Sequence, residues 1–174
     1  MSVLQHEIVI LARMGEITLK GLNRGKFEKR LTENIRRRLK PLGSFRVIQT
    51  QSRIIIEPQT EGLDLDEAMR VLTNVFGLVS VSPAWRFNGT MDDLLAQSVA
   101  FAKTLISPDE VLSFKVETRR RNKQFPLTSP QISSQVGAAV LSAFPDRLRV
   151  DVHNPDFTIY IEVDRDFFLY SRII

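Results

Sequence analysis

FEKRLTENIRRRL, residues Phe27–Leu39, places an apolar side chain at Phe27, Leu31, Ile35 and Leu39, every fourth position. Residues four apart share one side of an α-helix, so this spacing predicts an amphipathic helix that presses one stripe onto a core. Asn23 is the expected cap, and Pro41 with Gly43 stops the helix. Before it, His6 to Ala12 is a short run rich in Ile and Val that reads as a strand, and the polar, glycine-containing Arg13 to Gly21 reads as the loop after it. There, Arg13, Glu16 and Lys20 are expected to form an ion pair that shapes the loop. After the helix, Phe45 to Gln49 and Arg53 to Glu57 read as a strand pair joined near Thr50 to Ser52, with Ile54 and Ile56 facing one way. Leu65, Ala68, Met69, Leu72 and Phe76 then share a face, which predicts a second helix from Asp64 to about Phe76, closed by Gly77. Leu78 to Phe87 is a last extended segment. The order β-α-β-β-α-β is that of the ferredoxin-like motif, an antiparallel sheet with both helices on one face.

A second unit is expected from Asn88. Asn88-Gly89-Thr90 breaks the pattern, and Thr90 caps a helix over Met91 to Leu105. Val111 to Thr118 alternates as a half-exposed strand does, with Val111, Ser113, Lys115 and Glu117 on the outer side. Ser129-Pro130 is read as a cap with proline at the first helical position, followed by a face of Ile132, Val136, Ala139, Val140 and Ala143. Leu148 to Val152, Thr158 to Val163 and Phe167 to Arg172 are short alternating runs. The fold class is therefore α+β, two small mixed α/β domains: residues 1–87, ferredoxin-like, and residues 88–174, an α-β-α-β-β-β unit.

Composition narrows the function more than it identifies it. With no cysteine among 174 residues, disulfides, thiolate metal sites and cysteine nucleophiles are excluded. A reducing, cytoplasmic compartment is the expectation, although a cysteine-free chain is compatible with any. Two histidines, His6 and His153, are too few for a histidine-based metal centre without several carboxylates. No apolar run reaches the roughly 20 residues of a membrane span, so no membrane partner is expected. No pair of carboxylates has a recognisable catalytic spacing, and Glu7, Glu57, Glu117 and Glu162 read mostly as exposed strand partners for Lys or Arg. No catalytic residue is assigned.

The net charge of +4 is modest, but the cations are concentrated. Between Lys20 and Lys40 lie Arg24, Lys26, Lys29, Arg30, Arg36, Arg37 and Arg38, opposed by Glu28 and Glu33. Such a helix can track a phosphate backbone. The competing reading is an ordinary solvated helix face, on which Arg36 to Arg38 also complement the helix C-terminus. Arg119, Arg120, Arg121 and Lys123 form a second cluster. Neighbouring cations repel, so their concentration suggests an anion between them. Phe125 is either a base-stacking ring or a core plug. Ser129, Gln131, Ser133 and Ser134 stand at a helix start, where backbone N–H groups favour phosphate. The candidate RNA-binding set is Lys20, Arg24, Lys26, Arg30, Arg37, Arg119, Arg120, Arg121, Lys123, Phe125, Ser129, Gln131 and Ser133.

The run Gly15-Glu16-Ile17-Thr18-Leu19-Lys20-Gly21-Leu22-Asn23-Arg24, with Phe27-Glu28 and Asn34-Ile35 after it, resembles the opening of the tRNA 4-thiouridine synthetase (ThiI) family. Phe114-Lys115-Val116, Arg119-Arg120, Lys123-Gln124-Phe125-Pro126, Ser129, Ile132 and Val136-Gly137 resemble its THUMP domain. The likeness continues through Val150-Asp151-Val152, Asn154-Pro155-Asp156 and Ile161-Glu162-Val163. The resemblance implies an N-terminal ferredoxin-like domain and a THUMP domain that bind tRNA, THUMP reading the acceptor stem and its 3′ CCA end. It also implies a PP-loop domain that uses ATP to adenylate uridine 8 and a persulfide sulfur donor; many members serve thiazole synthesis for thiamine, and members are commonly homodimers.

Neither a PP-loop motif nor a cysteine occurs before Ile174. No cofactor is therefore expected in these residues, ATP and the persulfide donor belonging to the full-length enzyme. The expected identity is a fragment of the synthetase, with its PP-loop domain in cis. The alternatives are a stand-alone THUMP adaptor that serves a partner enzyme in trans, and a protein-interaction module.

Overall fold

A computed structural model describes residues 5–15, 23–51 and 53–174. The expected pairing among Arg13, Glu16 and Lys20, the Lys20 site and the hairpin residue Ser52 lie wholly or partly outside the described residues. Contacts divide the chain into two compact units: Ile8–Ala84 with Arg172–Ile174, and Trp85–Ser171 with the described residues 5–7.

The first unit runs β1 (Glu7–Met14), α1 (Arg24–Leu39), a 3-10 turn (Lys40–Leu42), β2 (Phe45–Gln49), β3 (Arg53–Pro58), α2 (Leu65–Leu72) and the start of β4 (Leu78–Phe87). Its strand order is β2-β3-β1-β4, and the β1–β3 and β2–β3 pairs are antiparallel. In register, Val47 stands opposite Ile56 and Ile56 opposite Ile10, so three adjacent strands present one apolar row. Leu31, Ile35 and Leu39 of α1 and Ala68, Met69 and Leu72 of α2 pack onto the same core as that row, which places both helices on one face. Each fully buried isoleucine contributes ~1.5–3 kcal/mol through water exclusion, which is why the fourfold spacing in α1 decides the fold.

The second unit takes over β4 at Trp85 and adds α3 (Met91–Leu105), β5 (Leu112–Arg120), α4 (Ser129–Ala143), β6 (Leu148–Val150), β7 (Phe157–Val163) and β8 (Phe167–Tyr170). Its strand order is β4-β8-β7-β5-β6, with β6 at the edge. β5 pairs in parallel with β6 and β7, and β8 antiparallel with β4 and β7. Phe114, Ile159, Ile161, Val163, Phe167 and Leu169 form one side of the sheet, packed in a core with Leu94 and Phe101 of α3 and Ile132, Val136 and Val140 of α4. His6 precedes β1 and belongs here: its ring stacks on Trp85 at 3.7 Å, and its Nδ1 is 3.2 Å from Gln97 Oε1.

Local chemistry corrects several expectations. α2 ends at Leu72 and not at Phe76, because the hydroxyl of Thr73 and the amide of Asn74 donate to the Arg70 carbonyl and tighter turns follow. Val75 fills the core position expected of Phe76, whose ring is 86% exposed. Asn23 precedes α1 without a side-chain cap bond. α4 is capped by Thr128 and not by Ser129: the Thr128 hydroxyl accepts the Gln131 N–H, and the Gln131 side chain accepts the Thr128 N–H, a reciprocal capping box. Ser113 and Glu162, expected to be exposed, are buried, and β6 and β8 stop at Val150 and Tyr170.

Two stability measurements follow. Thr128→Ala is expected to cost about 1 kcal/mol and Ser129→Ala only a few tenths, because only the first removes a cap; equal effects in denaturant unfolding contradict the capping assignment. Gly77 has φ 100°, and a Cβ there would stand 2.8 Å from the Phe27 ring. Gly77→Ala is therefore expected to lower stability by at least ~1 kcal/mol, read as a reduced denaturant midpoint at unchanged slope.

Candidate nucleic-acid interface

Burying the Leu31–Ile35–Leu39 stripe leaves the opposite side of α1 to its cations. Lys26, Lys29, Arg30, Arg36, Arg37, Arg38 and Lys40 are exposed. At 100° per residue, Lys26, Arg30 and Arg37 fall within about 40° of one another, a single row that also contains Glu33. Some of the cations are engaged within the fold. Arg24 donates to Glu28 and to the Gln51 carbonyl, each at 2.7 Å, and so ties the helix start to the β2–β3 hairpin. Arg37 donates to Asn34 at 2.9 Å, and Arg36 reaches the Val47 carbonyl at 3.4 Å.

In the second unit β5 continues to Arg120, two residues past the expected end, so Arg119 and Arg120 are strand residues on opposite faces of the sheet. Arg120 follows Phe114, Val116 and Thr118 onto the helix side. There its guanidinium donates to the carbonyls of Phe125 (3.0 Å) and Leu127 (3.2 Å), which fastens the loop that leads into α4. Arg119 lies on the other side and is exposed. Arg121 donates from Nε to Glu162 Oε1 at 3.1 Å, and Lys123 is exposed in the loop. Of the four clustered cations, the fold uses two as loop fasteners and presents Arg119 and Lys123.

The remaining expected residues have defined surroundings. Phe125 packs against the core with its ring edge-on to Phe167 at 5.7 Å. Ser129 opens α4, Gln131 completes the capping box, and the Ser133 hydroxyl is 2.8 Å from that of Thr118. Glu162 does pair with an arginine, as expected, but it is buried, and Tyr170 and Thr128 were missed by sequence reasoning. The alternation of Phe157, Ile159, Ile161 and Val163 sets Glu162 on the other face of the sheet.

Beside α4 runs a groove of about 470 Å³ lined by Val116, Ser133, Gly137, Leu141, Val150 and Val152 among others. It exists because β6 is short. The Asp151 N–H still donates to the Phe114 carbonyl, and the Asp151 carboxylate then accepts the N–H groups of Asn154 and His153, turning the chain away from β5. Those two bonds, Asn154 first, hold the Asp151 carboxyl below its ordinary value. Lys115, at the rim of the groove, is held above its ordinary value by its hydrogen bond to Glu117 at 2.6 Å. Among the described residues no cluster of His, Cys, Asp or Glu is placed to hold a metal, and no helix is long and apolar enough to cross a membrane.

The same arrangement recurs in known proteins. The model of the ThiI ferredoxin-like domain matches residues 9–82, and that of the THUMP domain matches residues 88–171. A probable tRNA sulfurtransferase of Acetivibrio thermocellus is 49% identical over 95% of this chain, which spans 42% of that protein's length. The crystal structure of PH1313 from Pyrococcus horikoshii is similar at TM-score 0.80 and 31% identity, over 96% of this chain and 54% of that one. A 4-thiouridine synthetase in complex with RNA and ATP is similar at TM-score 0.80 and 28% identity, over 97% of this chain and 42% of that one. Neither matched region is a PP-loop catalytic domain. With one match following the other along the chain, the protein combines a region matching the ThiI ferredoxin-like domain with a region matching the THUMP domain.

Proposed function

We propose that these residues are the tRNA-binding portion of a tRNA sulfurtransferase, recognising the acceptor stem and the unpaired 3′ CCA end. Thiolation of uridine 8 then falls to a PP-loop domain that uses ATP and a persulfide donor. The observation that carries this reading is the likeness, over 97% of the chain, to a 4-thiouridine synthetase complexed with RNA. Charge supports it: the exposed cations of α1 and the presented pair Arg119 and Lys123 suit phosphate, whose neutralisation releases counterions. Shape supports the unpaired end. The groove between α4 and the edge of β5 has apolar walls and small side chains, a space that a splayed-out base can enter and a stacked duplex base cannot. On this reading the protein works in the cytoplasm as part of a homodimeric synthetase, with a further role in thiazole synthesis for thiamine.

The decisive measurement is binding of this chain to an intact tRNA and to the same tRNA trimmed of its CCA end, across a range of salt. Trimming is expected to weaken binding, and Arg119→Ala and Lys123→Ala are each expected to reduce the salt slope by about 1 while leaving thermal stability unchanged. If neither trimming nor these replacements matters, the acceptor-end reading is wrong and a protein-interaction role for the groove takes its place. Arg120→Ala behaves differently. It deprives two loop carbonyls of a charged donor, and its main effect is expected on stability, ~1–3 kcal/mol.

A further inference from the structure

Glu162 is a carboxylate that the proposed function does not use and that a fold would not bury without reason. It is 3% exposed, on the sheet face away from α3 and α4. Oε2 accepts the Tyr170 hydroxyl at 2.6 Å, and Oε1 accepts Arg121 Nε at 3.1 Å. Tyr170 is itself fixed by stacking on Tyr160 at 5.1 Å. In the β5–β7 ladder Glu162 is the register partner of Arg119. One residue further, the N–H groups of Arg121 and Asn122 both donate to the Val163 carbonyl, at 2.7 and 3.0 Å. The loop then turns on Asn122, whose side chain accepts the Gln124 N–H and whose carbonyl accepts the Phe125 N–H. The exit of β5 is thus fastened to the end of β7 by side chain and backbone together, with Arg119 immediately before the fastening and Lys123 just after it.

Resting on the tRNA reading, we infer that Glu162 is a positioning residue of the RNA site: through Arg121 it sets the path of the Arg119–Lys123 segment and so presents Arg119 and Lys123 to phosphate. The physical basis is preorganisation. A cationic loop ordered before the encounter loses less conformational freedom on binding than one ordered by the ligand. The burial of Glu162 has the same explanation. A buried charge is tolerated when paired and hydrogen-bonded, and here both oxygens have a donor.

The inference makes a prediction opposite in sign to simple electrostatics. Glu162→Gln raises the net charge by one and replaces the charged acceptor of Arg121 by a weaker, neutral one, so a site that only counts charges binds RNA more tightly. A site that depends on the position of Arg119 and Lys123 binds it more weakly. The experiment measures affinity for an unmodified tRNA transcript, thermal unfolding, and amide hydrogen exchange over residues 119–123, for the wild type, Glu162→Gln, Arg121→Ala and the double variant. Expected are severalfold weaker binding by folded Glu162→Gln, faster exchange at Arg121 and Asn122, and no further loss when Glu162→Gln is added to Arg121→Ala. Tyr170→Phe, which keeps every charge and loses one hydrogen bond to Glu162, is expected to shift binding and exchange the same way by less, and it decides the matter should Glu162→Gln fail to fold. Unchanged or tighter binding with unchanged exchange overturns the inference. Faster exchange in a chain whose wild type does not bind tRNA overturns the functional reading and leaves the fastening role of Glu162 intact.

Discussion

The parallel ladder between β5 and β7, from Phe114 opposite Phe157 to Arg120 opposite Val163, governs what the second unit can do. Along a strand, side chains alternate between faces, so the register of this one pairing assigns every residue of β5 a side. Phe114 and Val116 go to the core, and Arg120 goes with them, where only the loop carbonyls of Phe125 and Leu127 remain to receive it. Lys115, Glu117 and Arg119 take the other face. A slip of one residue would bury Arg119 against α4 and expose Phe114, which the core forbids. The apolar residues of β5 and β7 therefore choose which arginine meets solvent.

The same alternation removes an apparent electrostatic problem. Four cations in five positions look like a site waiting for an anion when they are all placed in one loop. In the folded chain two of them have acceptors at hand: carbonyl oxygens for Arg120 and the Glu162 carboxylate for Arg121. Repulsion is correspondingly reduced, and the cations left facing water are separated by a fastened segment.

This separates what the sequence could reveal from what it could not. The fourfold spacing in α1 was sufficient for a helix because three of its four apolar residues are buried in the structure and the fourth half-buried. The element order followed, since each alternating or periodic run had one reading that buried its apolar side. The end of α2 was misread because Phe76 satisfies the helical spacing, while what stops the helix is hydrogen bonding by Thr73 and Asn74, to which hydrophobic periodicity is blind. The cap of α4 was misplaced by one residue because Ser129 directly precedes Pro130, and the spacing of Thr128 to Gln131, whose two reciprocal bonds make Thr128 the cap, was passed over. The cationic cluster was legible as a cluster and illegible as a site. Ending β5 at Thr118 put Arg119 to Lys123 in a loop without faces, and the carboxylate that orders them lies 41 residues from Arg121 along the chain.

On the tRNA reading, the two sets of cations do different work. The row on α1 stands on a rigid helix, but its charges are exposed and screened within about 10 Å at 0.1 M salt, so they attract any phosphate backbone and distinguish little. Discrimination needs groups that are satisfied only by one arrangement of ligand atoms. On the inference above, Arg119 and Lys123 meet that condition through the Arg121–Glu162 bond between them, and the groove beside α4 adds apolar walls. A chain with the α1 row alone would bind nucleic acid and choose poorly. On that reading, the buried carboxylate beneath Arg121 exchanges one unit of attraction for a more ordered presentation of Arg119 and Lys123, which serves selectivity more than affinity.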